Sequence, residues 1–191
     1  MIERIDIIGN GESRIGIDFD KLDTFKIGCN AAYRDFDIDC LVAVDRRMVE
    51  EAVDSSFSKP IYTRKDWSGS FAPYVNVRTL PELPYKGELK QDDPWHWGSG
   101  PHACNLAAML GPKEIHLWGF DLWSETETVN NVYKGTKNYD PVTRYAIDPR
   151  FWIYQLAKCF EHYPNTSWVQ HQHKDWKKPD SWNFENLSIK S

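Results

Sequence analysis

No stretch of this 191-residue chain approaches the uninterrupted apolar length that a membrane-spanning helix needs. None of its four cysteines (Cys29, Cys40, Cys104, Cys159) forms a CxxC pair or shows disulfide-like spacing, which excludes a disulfide framework. Each lies among apolar or small residues, the setting of a buried free thiol. Positive charge is in deficit: 23 lysines and arginines face 28 aspartates and glutamates, a net charge of −5. That balance excludes a general electrostatic grip on nucleic acid. Repeats and low-complexity stretches are absent as well. The amino terminus runs directly into a strand pattern and leaves no room for a signal peptide, so a reduced, cytoplasmic setting is expected. Two nucleotide fingerprints are missing too. No GxGxxG follows the first strand and no GxxxxGK(S/T) occurs anywhere, which excludes plain NAD-dependent and P-loop ATPase readings.

What is present fits one compact domain with a sizeable core. Hydrophobic residues make up 41% and charged residues 27%, ordinary for a globular protein. The aromatic share of 14% includes nine tryptophans, large rings that either fill a core or stack on sugars and bases. Strand-length apolar runs occur at 4–9, 25–28, 39–44, 60–63, 75–78, 115–119 and 167–170. Helix patterns fall between them. One spans 45–54 behind Asp45; another spans 99–110, with Pro101 in its first turn and Gly111 as its stop. A third spans 148–163, opened by Asp148-Pro149 and closed by Pro164. Strands alternating with helices, several of them apolar on both faces, predict an α/β fold with a mostly parallel sheet covered by helices on both sides. The polar stretch 124–147 is too long for an ordinary connection and is a candidate lid. Residues 171–191 form a polar tail with interspersed aromatics, expected to pack on the body.

Ligands of open α/β sheets bind beyond the carboxyl ends of the strands, so the loops there carry the functional reading. They are Gly9-Asn10-Gly11-Glu12-Ser13, the stretch from Cys29-Asn30 to Tyr33, Asp45-Arg46-Arg47, Arg64-Lys65, Trp97-Gly98-Ser99-Gly100, and Gly119-Phe120-Asp121. Glycines let backbone N–H groups approach a ligand closely. The Gly98-Ser99-Gly100 turn opens a helix, and a helix N-terminus is a ready phosphate site. Asn10 and Asn30 carry both donors and acceptors, and Asp121 can accept from a base amine or sugar hydroxyl, or hold a metal. His96 and His102 flank the turn as proton-transfer candidates. His171 and His173 alternate near the last strand and would point one way as a metal pair, without a third ligand.

Three blocks, IIGNGES, IGCNAAY and WGSGPHACNLAAMLGPKEIHLWGFDLW, resemble in order and spacing the bacterial lipooligosaccharide sialyltransferases. The resemblance extends to the broader group of motility-accessory glycosyltransferases and hydroxymethylpterin-pyrophosphokinase-like proteins. It implies a single Rossmann-like domain over 1–170, a CMP-sugar donor and a hydroxyl acceptor, no obligate metal, and frequent assembly into oligomers. By that resemblance Asn10 and Gly11 line the nucleotide, Asn30 touches its phosphate or the transferred sugar, Ser99 and Gly100 hold the cytidine or its phosphate, and Asp121 closes the far side. Gly9, Ser13, Asp45 and Gly98 complete the expected nucleotide wall. The departures are also clear. His96 stands where those enzymes carry an arginine, Gly98 replaces a threonine and Trp123 a tyrosine. Where the family's catalytic histidine precedes the last helix, this chain reads VTRYAIDPR. Tyr145 and Asp148 are the nearest proton-transfer candidates there, and Arg144 can steady a phosphate. Three readings follow: a CMP-type glycosyltransferase, a diphosphotransferase using ATP and magnesium held by Asp45 and Asp121, and a nucleotide- or sugar-binding protein without catalysis.

Overall fold

A computed structural model describes residues 2–191. The short apolar runs become strands β1 (Arg4–Ile8), β2 (Phe25–Cys29), β3 (Cys40–Val42), β4 (Ile61–Thr63), β5 (Val77–Thr79), β6 (Glu114–Trp118), β7 (Ser167–His171) and β8 (Leu187–Lys190). The helices are α1 (Arg46–Asp54), α2 (Lys65–Ser68), α3 (Ser99–Met109) and α4 (Arg150–His162). Every predicted strand and helix is present within two residues of its expected bounds. All strand pairs are parallel, in the order β5-β4-β3-β2-β1-β6-β7-β8. The chain thus builds outward from β1 to β5 and then crosses back to lay β6 on the other side of β1. This reversal leaves a crevice at the carboxyl ends of β1 and β6, the place where open α/β sheets bind ligands.

The period-two alternation of strand side chains divides the core into two layers. Ile5, Ile7, Ile27, Cys29, Cys40 and Val42 pack beneath α3 and α4, against Ala103, Leu106, Ala107, Leu156 and Phe160. Ile8, Leu41, Ala43 and Ile61 face the other way, against Met48, Val49 and Ala52 of α1 and Phe19 and Ile38 from the connections. Helix α3 is buried nearly all round, which its small residues (Ala103, Cys104, Ala107, Ala108) permit. All four cysteines are buried and free, and burial raises their pKa values. Asp6 is the one fully buried charge of β1. It pairs with Arg4 at 2.6 Å and accepts from Thr24 Oγ1 at 2.6 Å and Trp118 Nε1 at 2.7 Å, so its burial is compensated.

The tail contributes a strand that its composition does not predict. β8 pairs with β7 in the register Trp168↔Leu187, although three of its four residues are exposed. Before it, Trp182 is fully buried, donates from Nε1 to Ile153 O at 3.0 Å and meets Phe160 edge-on. The stretch 124–147 is tied to the body through its middle. Val129 and Tyr133 are buried, Lys134 pairs with Glu12 at 2.6 Å, and Asn138 Nδ2 donates to Glu51 at 2.6 Å. Residues 141–148 are exposed, held by a single antiparallel bridge between Thr128 and Tyr145. Among the described residues no helix is long and apolar enough to cross a membrane.

Candidate functional site

The loops after β1 and β6 continue as a ladder beyond their strands. Gly9 N–H donates to Trp118 O at 2.7 Å and Gly11 N–H to Gly119 O at 2.8 Å. Side chains would not fit: a Cβ on Gly9 would lie 2.6 Å from Gly119 O, and one on Gly11 would lie 2.5 Å from the Asp121 carboxyl carbon. Asp121 accepts from Ser13 N at 2.9 Å and from the Ser13 hydroxyl, while Glu12 N donates to Asn130 Oδ1 at 2.8 Å. These amides, expected from the sequence to face a ligand, are consumed inside the protein. The glycines serve contact between two loops.

A second convergence lies beside it. Asn30, in the left-handed region at φ 52°, accepts on Oδ1 from Ser99 Oγ at 2.7 Å, and that hydroxyl accepts from Val44 N at 3.1 Å. The ends of β2 and β3 and the start of α3 therefore meet at Ser99. Gly98 caps α3 without a side chain, and among the described residues no protein acceptor takes the Ser99 or Gly100 amide. Two free helix N-terminal donors, with the positive end of the helix dipole behind them, suit an anion.

These loops enclose a cavity of about 480 Å³. It gathers Gly9, Asn10, Gly11, Asn30, Asp45, His96, Gly98, Ser99, Gly100 and Asp121 from the sequence-predicted set. Asp45 stands exposed at its mouth and makes no cap bond to α1. The half-buried His96 meets Phe151 edge-on. Four candidates lie elsewhere. Ser13 sits behind Asp121 as its hydrogen-bond partner. His102 is buried and shares 3.2 Å with Pro94 O through Nε2, on an adjoining cavity of about 960 Å³ beneath residues 79–95 that shares Arg64 and Trp95 with the first; burial pushes its pKa down to about 4. Tyr145 is 77% exposed and Arg144 is exposed beside it, both outside the cavity. Of the carboxylates that a magnesium-dependent reaction would use, Asp121 is already engaged and Asp45 alone is open.

Tyr139 locks the two asparagine loops together. Its hydroxyl accepts from Asn10 Nδ2 at 3.1 Å and from Ala31 N at 3.3 Å, and burial raises its pKa. The Tyr133 hydroxyl is held between Arg14 and Asp35. His171 stacks on Trp118 and shares 2.8 Å with His116, while His173 is exposed. Among the described residues no three His, Cys, Asp or Glu side chains converge as metal ligands. The cavity wall also contains Arg64, Trp95, Asn130, Asn131 and Trp152, which sequence reasoning did not assign. Position after a strand marks Arg64 as a rim residue; nothing in the sequence brings the other four to the same wall.

No family model matches this chain, and no curated protein sequence matches it. Its fold is shared with solved structures of the sialyltransferase CstII. One, from Campylobacter jejuni in complex with a substrate analogue, cytidine-5′-monophosphate, gives a TM-score of 0.58 at 17% identity, covering 88% of this chain and 79% of that one. A second, in complex with a trisaccharide acceptor and CMP, gives 0.55 at 16% identity over 88% and 80% of the two chains. A mutant of the α-2,3/8-sialyltransferase gives 0.52 at 17% identity over 88% and 81%. At this identity the likeness is one of fold.

Proposed function

We propose that this protein is a glycosyltransferase that takes a CMP-activated sugar and transfers the sugar to a hydroxyl of a carbohydrate acceptor. The observation that carries the reading is the cavity at the β1/β6 reversal, where two free helix amides and two asparagines converge on a fold shared with CMP-bound sialyltransferases. The acceptor oxygen attacks the anomeric carbon as the bond to the CMP phosphate breaks. The Ser99 and Gly100 amides stabilise the charge that develops on the departing phosphate. Asn10 and Asn30 orient ribose and sugar, and His96 takes the acceptor proton. No metal is required.

Thermal unfolding against CMP, CDP, UDP, GDP and ATP, each with and without magnesium, tests this. A ligand at 100 times its dissociation constant adds about 2.7 kcal/mol. Stabilisation by CMP without magnesium is expected. A shift seen only with ATP and magnesium would replace sugar transfer with diphosphate transfer, and no shift with any nucleotide would overturn the reading.

A further inference from the structure

We infer that Arg64 is the residue that recognises the phosphate of a nucleotide in this cavity, an inference that rests on the nucleotide reading above. Arg64 is the one lysine or arginine among the described residues lining the cavity. Its placement follows from Val44, which ends the third strand's run. Val44 N–H donates to Ser99 Oγ at 3.1 Å, and Val44 O accepts from Trp67 Nε1 at 2.9 Å. One residue thus pins both the start of α3 and the Arg64–Trp67 turn, which brings a guanidinium to the rim that carries the free helix amides.

The side chain is prepared for an anion. It is 13% exposed, with its guanidinium carbon 3.7 Å from the Trp95 ring centre and 5.2 Å from that of Trp67. Nη1 donates to Trp95 O at 2.8 Å and Nη2 to Asp66 at 3.1 Å, while Nε is buried without a partner. The aromatic rings and the Trp95 carbonyl fix the fork and leave donors unspent. The other charged side chains of the wall, Asp45 and Asp121, are carboxylates. Without Arg64 the helix amides alone would set positive potential against those two carboxylates.

Equilibrium binding of CMP and of cytidine to the full chain and to its Arg64→Ala, Arg64→Lys and Asp66→Asn variants tests this, with inorganic phosphate as a third probe. Arg64→Ala is expected to weaken CMP about 10- to 100-fold, the range of a charge-assisted hydrogen bond, and to leave cytidine unchanged. Arg64→Lys retains part of the preference, and Asp66→Asn raises CMP affinity alone. A role confined to holding Trp95 would weaken cytidine and CMP by the same factor, and that result, or no change in either, overturns the inference. If the wild-type chain binds neither, the nucleotide reading fails and inorganic phosphate decides for Arg64. Phosphate binding that Arg64→Ala abolishes supports the subsite; equal or absent phosphate binding in both chains overturns it.

Discussion

Gly11→Ala isolates the contact between the first loop and Asp121. Gly11 has φ −66° and ψ 151°, a conformation that alanine adopts without strain, so the backbone contributes no penalty. The new methyl would lie 2.5 Å from Asp121 Cγ, 2.6 Å from Oδ1 and 2.7 Å from Oδ2. The carboxylate must therefore move, giving up the Ser13 amide at 2.9 Å, the Ser13 hydroxyl and Gln172 Nε2 at 3.3 Å. Hydrogen bonds to charged groups contribute about 1.5–3 kcal/mol each, and water reaching the displaced group returns part of the loss. A net cost of about 2–4 kcal/mol follows, roughly a 4–16 °C fall in melting temperature for a chain of this size. Urea unfolding followed by tryptophan fluorescence measures it. In an Asp121→Ala background the same substitution should cost less than about 0.5 kcal/mol, because the methyl then meets space. An equal cost in both backgrounds would refute the steric argument.

Two other perturbations probe neighbouring groups. His102 donates from Nε2 to Pro94 O, and its buried Nδ1 has no partner, so protonation would bury an uncompensated charge. Its pKa is near 6.5 in the unfolded chain and about 4 in the folded one. The stability this contributes is complete above pH 6.5 and is lost as pH falls toward 4, up to about 3 kcal/mol. His102→Gln keeps the donor to Pro94 and should flatten that acid limb in pH-dependent urea titrations, whereas an unchanged slope counts against the buried-neutral assignment. Tyr139→Phe removes the acceptor of Asn10 Nδ2 and Ala31 N, so melting should show a loss of about 1–2 kcal/mol, with weaker CMP binding as the two asparagine loops separate.

The centre of the sheet is legible in the sequence because its strands are buried on both faces and read as nearly continuous apolar runs, CLVAV without a break and IDII broken only by Asp6. The loops at their ends are legible as a rim, and ten of the assigned residues share one cavity. What is hidden depends on contacts between distant segments. Gly11 is glycine because Asp121 lies against it, 110 positions along the chain, and Arg64, legible as a rim residue, is held by Trp95, 31 positions further on. β8 escapes notice because its LSIK alternation is only four residues long, lies at the end of a polar tail and leaves three of the four in water. Tyr145 and Arg144 belong to the polar insert, but the buried anchor of that insert is Tyr133, and the exposed turn beyond it carries them outside the cavity.

The two rungs that carry the β1 and β6 loops past their strands have a consequence for redesign. Dinucleotide-binding relatives of this architecture open a helix straight from the first strand and offer its amides to a pyrophosphate. Here the first loop is sewn to its neighbour, and a one-turn 3₁₀ segment, Glu12–Arg14, stands where such a helix would begin. Grafting a GxGxxG loop after β1 would unpick the seam before it created a cradle. A phosphate site would instead be engineered in the turn that opens α3 and in the segment facing it across the end of β4, where amides and a guanidinium can be altered without cutting the seam.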